Sequence, residues 1–537
     1  MSLGTTAEIM RTFYVVGWAL LIIYLLSRVS VCHGAATGCS ESDRKALIDF
    51  RSGIVDPEGR LHSWQGSECC QWSGVRCDNK TGAGKLPNPL NLIHGVGVDF
   101  SSNLLEGPIP LPAVEIVSLD LSNNRFSGSI PPDIGFVVPN LIFLSLSNNH
   151  LTGNIPTSIG NMLLLEVLSL SGNNLTGNLP ASLGNCSSLN ALDLRDNHLS
   201  GSIPLSWGQL LMLQSLHLGG NGISGELPSS LQNCSSLETL DLGNNKLLGK
   251  IPYWIGESLF ALRILRLRSN AFSGRIPSQL SNMSSLQVLD LADNNLVGSI
   301  PSSLGNLKAM ANVQEENQYL LYGGVGGIVI YYEESLDLSM KGLLLTYSKT
   351  LSLVTCIDLS ENNLYGDFPE SITNLSGLMV LNLSRNHFTG KIPETIASLH
   401  ELSSLDVSNN QLSGSIPSIM STMASLSYLN LSNNNLSGSI PFKGQLTTFD
   451  MYSYTGNPGL CGDPLPVKCD EGEDSNKQTT VERNGGNIVN SNWFYSGIGT
   501  GFAAGLLVPF LVLAMKRSWS NSYFSLVDKI VYRIWDK

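Results

Sequence analysis

A pattern of about 24 residues recurs along the chain from Phe100 to Pro441, with the consensus LxxLxLxxNxLxGxIPxxLGxLxx. A fixed repeat of this length predicts a stack of similar coils, because each repeat is one supersecondary unit that buries its apolar face only against its neighbours. A longer interval of 68 residues separates Asn294 from Asn362 and divides the array into two blocks. The consensus asparagine falls at nine positions in the first block and four in the second: Asn103, Asn124, Asn149, Asn173, Asn197, Asn221, Asn245, Asn270 and Asn294, then Asn362, Asn386, Asn410 and Asn434.

Each repeat reads as a short strand followed by a turn. Leu119 and Leu121 alternate at strand period and are expected to point into the core, while Asp120 and Ser122 point to the opposite, solvated face. Asn124 sits where the strand turns, and its amide is expected to donate to backbone carbonyls that would otherwise lack a partner. The sequence therefore predicts a leucine-rich repeat superhelix, an α/β solenoid whose strands form one long parallel sheet.

The amino-terminal segment has the layout of a secretory signal. Arg11 precedes an apolar stretch over residues 14–26, and small residues follow at 34–36. This order predicts a signal peptide over residues 1–34 that is cleaved from the mature protein.

A second apolar segment, residues 493–515, carries no charge and is followed at once by Lys516 and Arg517. It is long enough to span a bilayer, and the positive-inside rule places the repeats outside the cell. The prediction is a single-pass type I protein with one transmembrane helix. Residues 516–537 are then a cytoplasmic tail too short for a folded catalytic domain, so a signal would pass to another chain.

Cysteines cluster at both ends of the repeat array, where a solenoid needs a cover for its open core. Adjacent Cys69 and Cys70 would strain if they paired with each other. We expect bridges from Cys39 to Cys69 and from Cys70 to Cys77, although four cysteines allow three connectivities. A zinc site is the alternative, which an oxidising extracellular compartment disfavours.

Four further cysteines are assigned by their place in the repeats. Cys461 and Cys469 follow the last repeat and are expected to form a bridge in the second cap. Cys186 and Cys234 occupy the same phase two repeats apart, beyond the reach of a disulfide, and are expected to be free and buried.

Several segments together resemble the plant leucine-rich repeat receptor-like proteins. They are CSESDRKALIDFRSGIVDP and SECCQWSGVRC before the repeats, the LxGxIP repeats, an interruption followed by four repeats, GNPGLCG after them, an acidic stretch, a span and a short tail led by KR. The resemblance implies a kinase-less receptor of the plasma membrane with disulfide-bonded caps and an island insertion. The implied layout is signal peptide 1–34, amino-terminal cysteine cap 35–99, repeats one to nine 100–310, island 311–352, repeats ten to thirteen 353–441, carboxy-terminal cap 442–470, acidic juxtamembrane segment 471–492, transmembrane helix 493–515 and tail 516–537.

The resemblance also implies partner-binding residues. In the island, Tyr332 is followed after eight residues by Lys341 and Gly342, as in the island signature of that family. The family's island and last repeats recruit a co-receptor kinase, and its membrane span holds an adaptor kinase. In this span Gly497, Gly501 and Gly505 form two overlapping GxxxG motifs, a pattern that permits close helix packing, although glycines are common in membrane helices.

Candidate ligand contacts come from cations placed on the predicted solvated face of the middle repeats. In a chain of net charge −12, such a cluster is expected to attract an acidic peptide or carboxylate. The alternative is that the face is simply polar because it is solvated. The candidates are Arg195, Asp196, His217, Arg266 and Arg268.

Enzymatic chemistry is not expected. No GxSxG, HExxH or CxxC motif occurs, no cofactor or metal is implied, and the net charge disfavours nucleic acid as a partner. Sequons for N-glycosylation occur at Asn79, Asn174, Asn185, Asn233, Asn282, Asn374, Asn382, Asn430 and Asn435.

The predicted function is a kinase-less receptor for an extracellular peptide or protein ligand in plant defence, with adaptor and co-receptor kinases as partners. One alternative is a membrane-tethered inhibitor of a secreted cell-wall hydrolase. The other is a decoy, since the array is shorter than is usual in the family and amino-terminal repeats are expected to contribute to recognition.

Overall fold

The computed structural model describes residues 97–111, 116–314, 320–322 and 331–469, together with positions 44, 65–66, 76–77 and 84–85. The chain divides into a unit of residues 1–469 and a second unit of residues 470–537. All described residues belong to the first unit. The predicted signal peptide and transmembrane segment lie outside the described residues, as do Cys39, Cys69 and Cys70.

A parallel sheet of thirteen strands, called here the main sheet, runs through the repeats. Its strands follow chain order, one for each predicted repeat, so the leucine-rich repeat solenoid predicted from the sequence is confirmed. The strands are Val98–Asp99, Ser118–Asp120, Phe143–Ser145, Val167–Ser169, Ala191–Asp193, Ser215–His217, Thr239–Asp241, Ile264–Arg266, Val288–Asp290, Cys356–Asp358, Val380–Asn382, Ser404–Asp406 and Tyr428–Asn430.

A second parallel sheet of eleven strands forms where each coil turns away from the main sheet. Gly128 lies in it with a φ of 82°, a left-handed conformation that favours glycine, as the repeat pattern predicts. The strands are Glu106–Gly107, Arg125–Ser129, His150–Asn154, Asn174–Asn178, His198–Gly201, Gly222–Gly225, Lys246–Lys250, Ala271–Gly274, Asn295–Gly298, Asn363–Asp367 and His387–Thr389.

The side of the coils opposite the main sheet carries mostly single turns of 3-10 helix, which refines the α/β prediction. A turn of this length forms few hydrogen bonds and depends on packing against adjacent coils. Two turns are α-helical, Ile134–Val137 and Trp254–Ser258. The 3-10 segments are Thr157–Asn161, Ala181–Asn185, Leu205–Gln209, Ser229–Asn233, Ser278–Asn282, Ser302–Asn306, Leu351–Leu353, Glu370–Asn374, Glu394–Ser398, Ser418–Thr422, Gly444–Thr448 and Met451–Ser453.

The consensus asparagines form the predicted ladder inside the coil. The side-chain amide of Asn124 donates to the carbonyls of Phe100 at 2.7 Å and Leu121 at 3.1 Å. Its Oδ1 accepts from the backbone N–H of Leu105 at 2.9 Å. Each asparagine thus satisfies backbone groups of two successive coils, and the fully buried Leu119 and Leu121 beside it confirm the predicted core face.

The carboxy-terminal cap extends a third, three-stranded sheet made of Ser413–Gly414, Asn435–Ser439 and Gly459–Cys461. The predicted bridge between Cys461 and Cys469 is confirmed. Cys186 and Cys234 are free and buried, also as predicted. Near the amino terminus, Arg76–Cys77 pairs with Gly84–Lys85 in a small antiparallel sheet.

The island leaves and re-enters the solenoid without breaking the main sheet. Strand Val288–Asp290 pairs directly with Cys356–Asp358, although the chain between them is the island. Within the island, Leu321–Tyr322 pairs with Tyr332–Glu333, and Leu336–Met340 pairs with Leu343–Tyr347 as an antiparallel hairpin.

Candidate functional site

The island lies on the outer face of the main sheet, the face opposite the leucine core. Its hairpin turns at Lys341 and Gly342, whose φ values of 57° and 71° are both positive. Two central residues with positive φ are typical of the type I′ turn that closes a two-residue hairpin. The island therefore places an ordered two-stranded element over repeats that the sequence pattern alone leaves exposed.

The island and the main sheet share a second hydrophobic cluster, separate from the leucine core. The sheet contributes the first residue of seven strands, and these residues point away from the core because side chains alternate along a strand. Burial of this apolar area stabilises the docked island by about 25 cal/mol for each Å² removed from water. The sheet residues are Phe143, Val167, Ala191, Ile264, Val288, Cys356 and Val380, and the island residues include Leu320, Tyr322, Tyr332, Leu336, Leu338 and Met340.

One end of the island is fixed by Arg195. Its guanidinium donates to the Ser335 carbonyl at 2.8 Å, to Ser335 Oγ at 2.9 Å and to Tyr332 Oη at 3.1 Å. Its Nε also donates to Asp193 Oδ2 at 3.1 Å, and the Tyr332 hydroxyl donates to the same oxygen at 3.1 Å. Arg195 thus joins a sheet carboxylate to the island backbone through charge-assisted bonds.

Glu334 inserts its carboxylate beside the next strand. Ser215 Oγ donates to Glu334 Oε2 at 2.8 Å, and His217 Nε2 lies 2.5 Å from Glu334 Oε1. The other ring nitrogen of His217 lies 3.3 Å from Asp241 Oδ2. His217 and Glu334 are both 0% exposed, so this ion pair is fully removed from water.

The chain of opposite charges continues along the sheet. Arg266 donates to both carboxylate oxygens of Asp241 at 3.2 Å, and Arg268 donates to Asp290 Oδ2 at 3.3 Å. Arg266 Nε lies 3.5 Å from Asp290 Oδ2, within ion-pair distance but without a hydrogen bond. Four cations and four carboxylates make up this largely buried charge network: Asp193, Arg195, His217, Asp241, Arg266, Arg268, Asp290 and Glu334.

Burial and neighbouring charges set the protonation of the network. Burial alone would lower the pKa of His217, but the charge of Glu334 together with the hydrogen bonds to Asp241 and Glu334 raises that pKa to about 9. Burial would raise the pKa of Glu334 and of Asp241, yet His217 holds the first below its usual range, and Arg266 with His217 holds the second below it. His217 is therefore an imidazolium near neutral pH, and both carboxylates are ionised.

Two carboxylates oppose each other where the island leaves the sheet. Asp290 and Asp358 are register partners on adjacent strands, and both are buried. Burial raises the pKa of Asp358, and the nearby Asp290 carboxylate raises it further. The Asp358 carboxylate therefore binds a proton more readily than that of an ordinary aspartate.

The far end of the island reaches the last repeats. The Lys341 backbone N–H donates to Ser404 Oγ at 3.3 Å. A Cβ at Gly342 would lie 3.0 Å from Cε2 of Tyr428, so the turn packs closely against the last strand of the main sheet. The island thus crosses the outer face from the strand that ends at Asp193 to the strand that begins at Tyr428.

The outer strand of the hairpin is exposed. Leu343, Leu344 and Leu345 are 62%, 65% and 38% exposed, and in the part of the chain that the structure describes the strand Leu343–Tyr347 pairs on one edge alone. A strand of this kind presents unpaired backbone groups and apolar side chains to a partner.

The structure corrects the prediction that the candidate ligand residues stand free on a solvated face. His217 and Arg266 are buried and paired with carboxylates, and Arg195 is bound to the island. Arg268 is partly exposed and paired with Asp290, whereas Asp196 is exposed. Ligand binding by these five residues stays a prediction, and for four of them it competes with bonds that hold the island and the sheet.

The predicted partner-binding residues are distributed differently. Tyr332 is 8% exposed, and its ring centroid lies 6.2 Å from that of His217. A role of Tyr332 in partner binding stays a prediction. Lys341 and Gly342 are exposed at the hairpin turn. The glycines predicted in the membrane span, Gly497, Gly501 and Gly505, lie outside the described residues.

Sequence reasoning missed the island's contact residues on the sheet. Residues such as Phe143, Ile264 and Val288 occupy strand positions that point away from the leucine core, where a solvated face does not need apolar side chains. This column of apolar residues on the outer face was the sequence signal that could have indicated where the island docks. Glu334 carried no comparable signal, because a carboxylate beside Glu333 is typical of a solvated loop.

Two sequons fall on main-sheet strands and are engaged in hydrogen bonds. The side-chain amide of Asn382 donates to Asp358 Oδ2 at 3.2 Å, and that of Asn430 donates to Asp406 Oδ2 at 3.1 Å. Among the described residues, no group of three or more potential metal ligands is close enough to hold an ion, and no helix is long and apolar enough to cross a bilayer.

Family models for leucine-rich repeats match much of the array. The model described as leucine rich repeat N-terminal domain matches residues 40–78, and leucine-rich repeat models match residues 212–253 and 352–412. A single-repeat model matches 115–137, 140–162, 164–186, 188–210, 261–283, 285–307 and 425–443.

Similar proteins are plant receptors. Receptor-like protein 49 of Arabidopsis thaliana is 54% identical over 199 residues, covering 36% of this chain and 24% of the relative. Receptor like protein 22 of the same plant is 52% identical over 214 residues, covering 40% and 27%. The crystal structure of a TDR receptor has 26% identity and a TM-score of 0.52, and the match covers 67% of this chain and 63% of that one.

The stacked coils, parallel main sheet and asparagine ladder define a leucine-rich repeat protein. More narrowly, the chain is similar to the plant leucine-rich repeat receptor-like proteins, as its sequence motifs suggest. Its matches span between 5% and 27% of the length of the curated relatives.

Proposed function

We propose that the chain is a kinase-less cell-surface receptor that binds an extracellular peptide or protein ligand in plant defence and signals through partner receptor kinases. Similarity to receptor-like proteins supports the receptor class, and the island docked across the main sheet carries the proposal. In this proposal residues 493–515 anchor the protein with its repeats outside the cell, and no enzymatic step is required.

The exposed hairpin strand is the part of the island that we assign to a partner. Leu344 lies opposite Ser339 and points away from the buried cluster, whereas Leu336, Leu338 and Met340 on the paired strand face the sheet. Leu343 lies opposite Met340 at the turn end of the hairpin and is still 62% exposed. The hairpin therefore has one face for the solenoid and one for a second ectodomain. The occupant proposed is the ectodomain of a co-receptor kinase, which would contact this strand, Lys341 and the last repeats.

The test is recruitment of a kinase by a hairpin variant in plant cells. The double substitution Leu343→Ser, Leu344→Ser should keep surface abundance, because both side chains are already exposed, and should reduce stimulus-dependent co-precipitation of a receptor kinase at least about tenfold, a loss of about 1.4 kcal/mol. Leu248→Ser, which changes a 46% exposed leucine outside the island, is the matched control. Undiminished recruitment by the double variant contradicts the assignment of the hairpin strand.

The same co-precipitation experiment, carried out with the wild-type protein, distinguishes a receptor from an inhibitor. Wild-type protein that captures no receptor kinase with or without an elicitor, but captures a secreted cell-wall hydrolase, would support the inhibitor and reject the receptor. Capture of neither would leave the decoy as the better account.

A further inference from the structure

The lateral ridge of the solenoid alternates between apolar and glycosylatable coils. We define this ridge by the last residue of each helical turn and the two positions that come second and third after it. In six consecutive coils, those last residues are Asn161, Asn185, Gln209, Asn233, Ser258 and Asn282.

Every other coil on this ridge exposes large apolar side chains. They follow Asn161, Gln209 and Ser258, and each side chain is more than half exposed. Such residues are individually common on a surface, but a regular row on one side of a solenoid forms a patch that needs a cover in a soluble ectodomain. The exposed fractions are 55% for Leu163, 51% for Leu164, 56% for Leu211, 56% for Met212 and 54% for Phe260.

The intervening coils carry sequons at the same phase. Asn185, Asn233 and Asn282 each end a 3-10 turn and are exposed, and the second residue after each is serine. A sequon requires serine or threonine at the second position after the asparagine, so a coil with a sequon cannot carry an apolar residue at that position. This requirement does not explain why the two kinds of coil alternate along the solenoid.

Adjacent coils on this ridge are in direct contact. Ser236 Oγ donates to the Leu211 carbonyl at 3.0 Å, which places the Asn233 coil against the Leu211 coil. Cys186 Sγ likewise donates to the Ile159 carbonyl at 3.4 Å, which places the Asn185 coil against the coil of Leu163. Successive coils lie about 5 Å apart at the sheet, so each asparagine stands within the reach of one sugar residue from an exposed apolar side chain.

We propose that N-glycans on Asn185, Asn233 and Asn282 lie over Leu163, Leu164, Leu211, Met212 and Phe260, and shield this ridge from other proteins. The carbon-bound hydrogens of N-acetylglucosamine provide an apolar face for leucine and methionine and a stacking face for the Phe260 ring. The ridge is then a covered side of the solenoid, and recognition is directed to the main sheet and island. The inference rests on the proposed function in requiring passage through the secretory pathway.

One ridge sequon provides a matched control. Asn374 also ends a 3-10 turn, but its neighbouring coils place Lys308 and His400 at the position that leucine or phenylalanine occupies elsewhere. A glycan on Asn374 therefore has no apolar pair to cover.

The experiment measures binding of anilinonaphthalene sulfonate to the folded full-length protein purified from plant membranes in detergent, before and after treatment with a peptide N-glycosidase. Removal of the glycans should raise dye fluorescence about twofold or more, because the dye reports exposed apolar surface. The same treatment should have little effect on a variant in which Leu163, Leu164, Leu211, Met212 and Phe260 are all replaced by serine. Asn233→Gln should reproduce part of the rise, whereas Asn374→Gln should not.

Four results would overturn the shield. Unchanged dye binding after deglycosylation shows that the glycans do not cover the row. Glycopeptide mass spectrometry that finds Asn374 occupied but Asn185, Asn233 and Asn282 bare rejects the shield and leaves the receptor proposal intact. Loss of a protein partner from the fully glycosylated serine variant identifies the row as a docking surface instead. Absence of glycan from every sequon rejects secretion, and with it both proposals.

Discussion

His217 Nε2 lies 2.5 Å from Glu334 Oε1 and joins the sixth strand of the main sheet to an island residue 117 positions further along the chain. Both side chains are 0% exposed, and each has a further polar partner, Asp241 for the histidine and Ser215 for the glutamate. Removing one member of such a pair leaves the other buried without its countercharge, whereas replacing both by apolar groups need not be destabilising.

We expect Glu334→Ala to release the island. Loss of one partner from a buried pair costs about 3–5 kcal/mol, and most of that should appear as local opening because the leucine core is untouched. Hydrogen exchange of the backbone amides in residues 332–347 should accelerate, while the asparagine ladder stays protected. Arg385→Ala removes a surface ion pair with Glu361, in which the two side chains are 63% and 48% exposed. This control should change neither the exchange of the island nor the protection of the ladder. Equal exchange in Glu334→Ala and wild type would show that the apolar cluster alone holds the island.

The docked island should loosen at high pH. His217 has its folded-state pKa raised from 6.5 to about 9, so its contribution is fully present below pH 6.5 and is lost as the pH rises through 9. The shift corresponds to about 3 kcal/mol. Exchange of residues 332–347 should therefore rise between pH 7 and 10 more than exchange of the core strands. His217→Gln should remove that alkaline dependence, and its persistence in the variant would assign it to another group.

Acid should act through Glu334. Its pKa in the folded protein is lowered from the usual value of 4.5, so its contribution is present above pH 4.5 and is lost as the pH falls through the lowered pKa. We expect island exchange to increase below pH 4.5 in wild type, with a weaker acid dependence in Glu334→Gln. Native mass spectrometry or circular dichroism at the same pH should show the solenoid still folded, since global unfolding would make the comparison uninformative about this carboxylate.

Removing one ladder asparagine should destabilise the solenoid more than the small size of its side chain suggests. In Asn197→Ala the carbonyls of Leu170, Leu194 and Arg195 lose a donor, and the backbone N–H of Leu175 loses its acceptor. Each buried group left without a partner costs about 1–3 kcal/mol. The denaturant midpoint should fall clearly, whereas Asn140→Ala at an exposed position should leave it almost unchanged. A shift no larger than that of the control would mean that water replaces the amide.

The Cys461–Cys469 bridge is expected to stabilise the carboxy-terminal cap. Replacing both cysteines by serine should cost about 2–4 kcal/mol in the cap, because strand Gly459–Cys461 covers the end of the third sheet. Faster exchange at Leu460 and Gly462 is the expected readout. Cys186→Ala, which changes a buried free thiol far from the cap, is the control and should leave cap exchange unaltered.

The repeat period sufficed to predict the solenoid, its core face and its asparagine ladder, because those features depend on contacts between neighbouring coils with a fixed offset. Leu119, Leu121 and Asn124 have the burial and bonds expected of them. The position of the island was beyond the same reasoning. Its contacts join residues far apart in the chain, such as Arg195 with Ser335, and no period relates them.

The charged candidates illustrate the difference. Strand alternation correctly assigns His217 and Arg266 to the outer face, but it does not reveal that another segment covers that face. Because cations are rare on this acidic chain, each of these two was predicted to be a free group that binds a ligand. In the structure each neutralises a carboxylate within a closed set of partners.

The island changes the unit of cooperativity in this solenoid. Coils of an ordinary repeat protein contact only their neighbours, so they can open from an end one at a time and unfold in steps. Here the island is bonded to Arg195 and His217 at one end and reaches Ser404 at the other. The coils between those residues cannot separate unless the island detaches first, so the middle of the array should unfold as one block while the repeats before it melt independently.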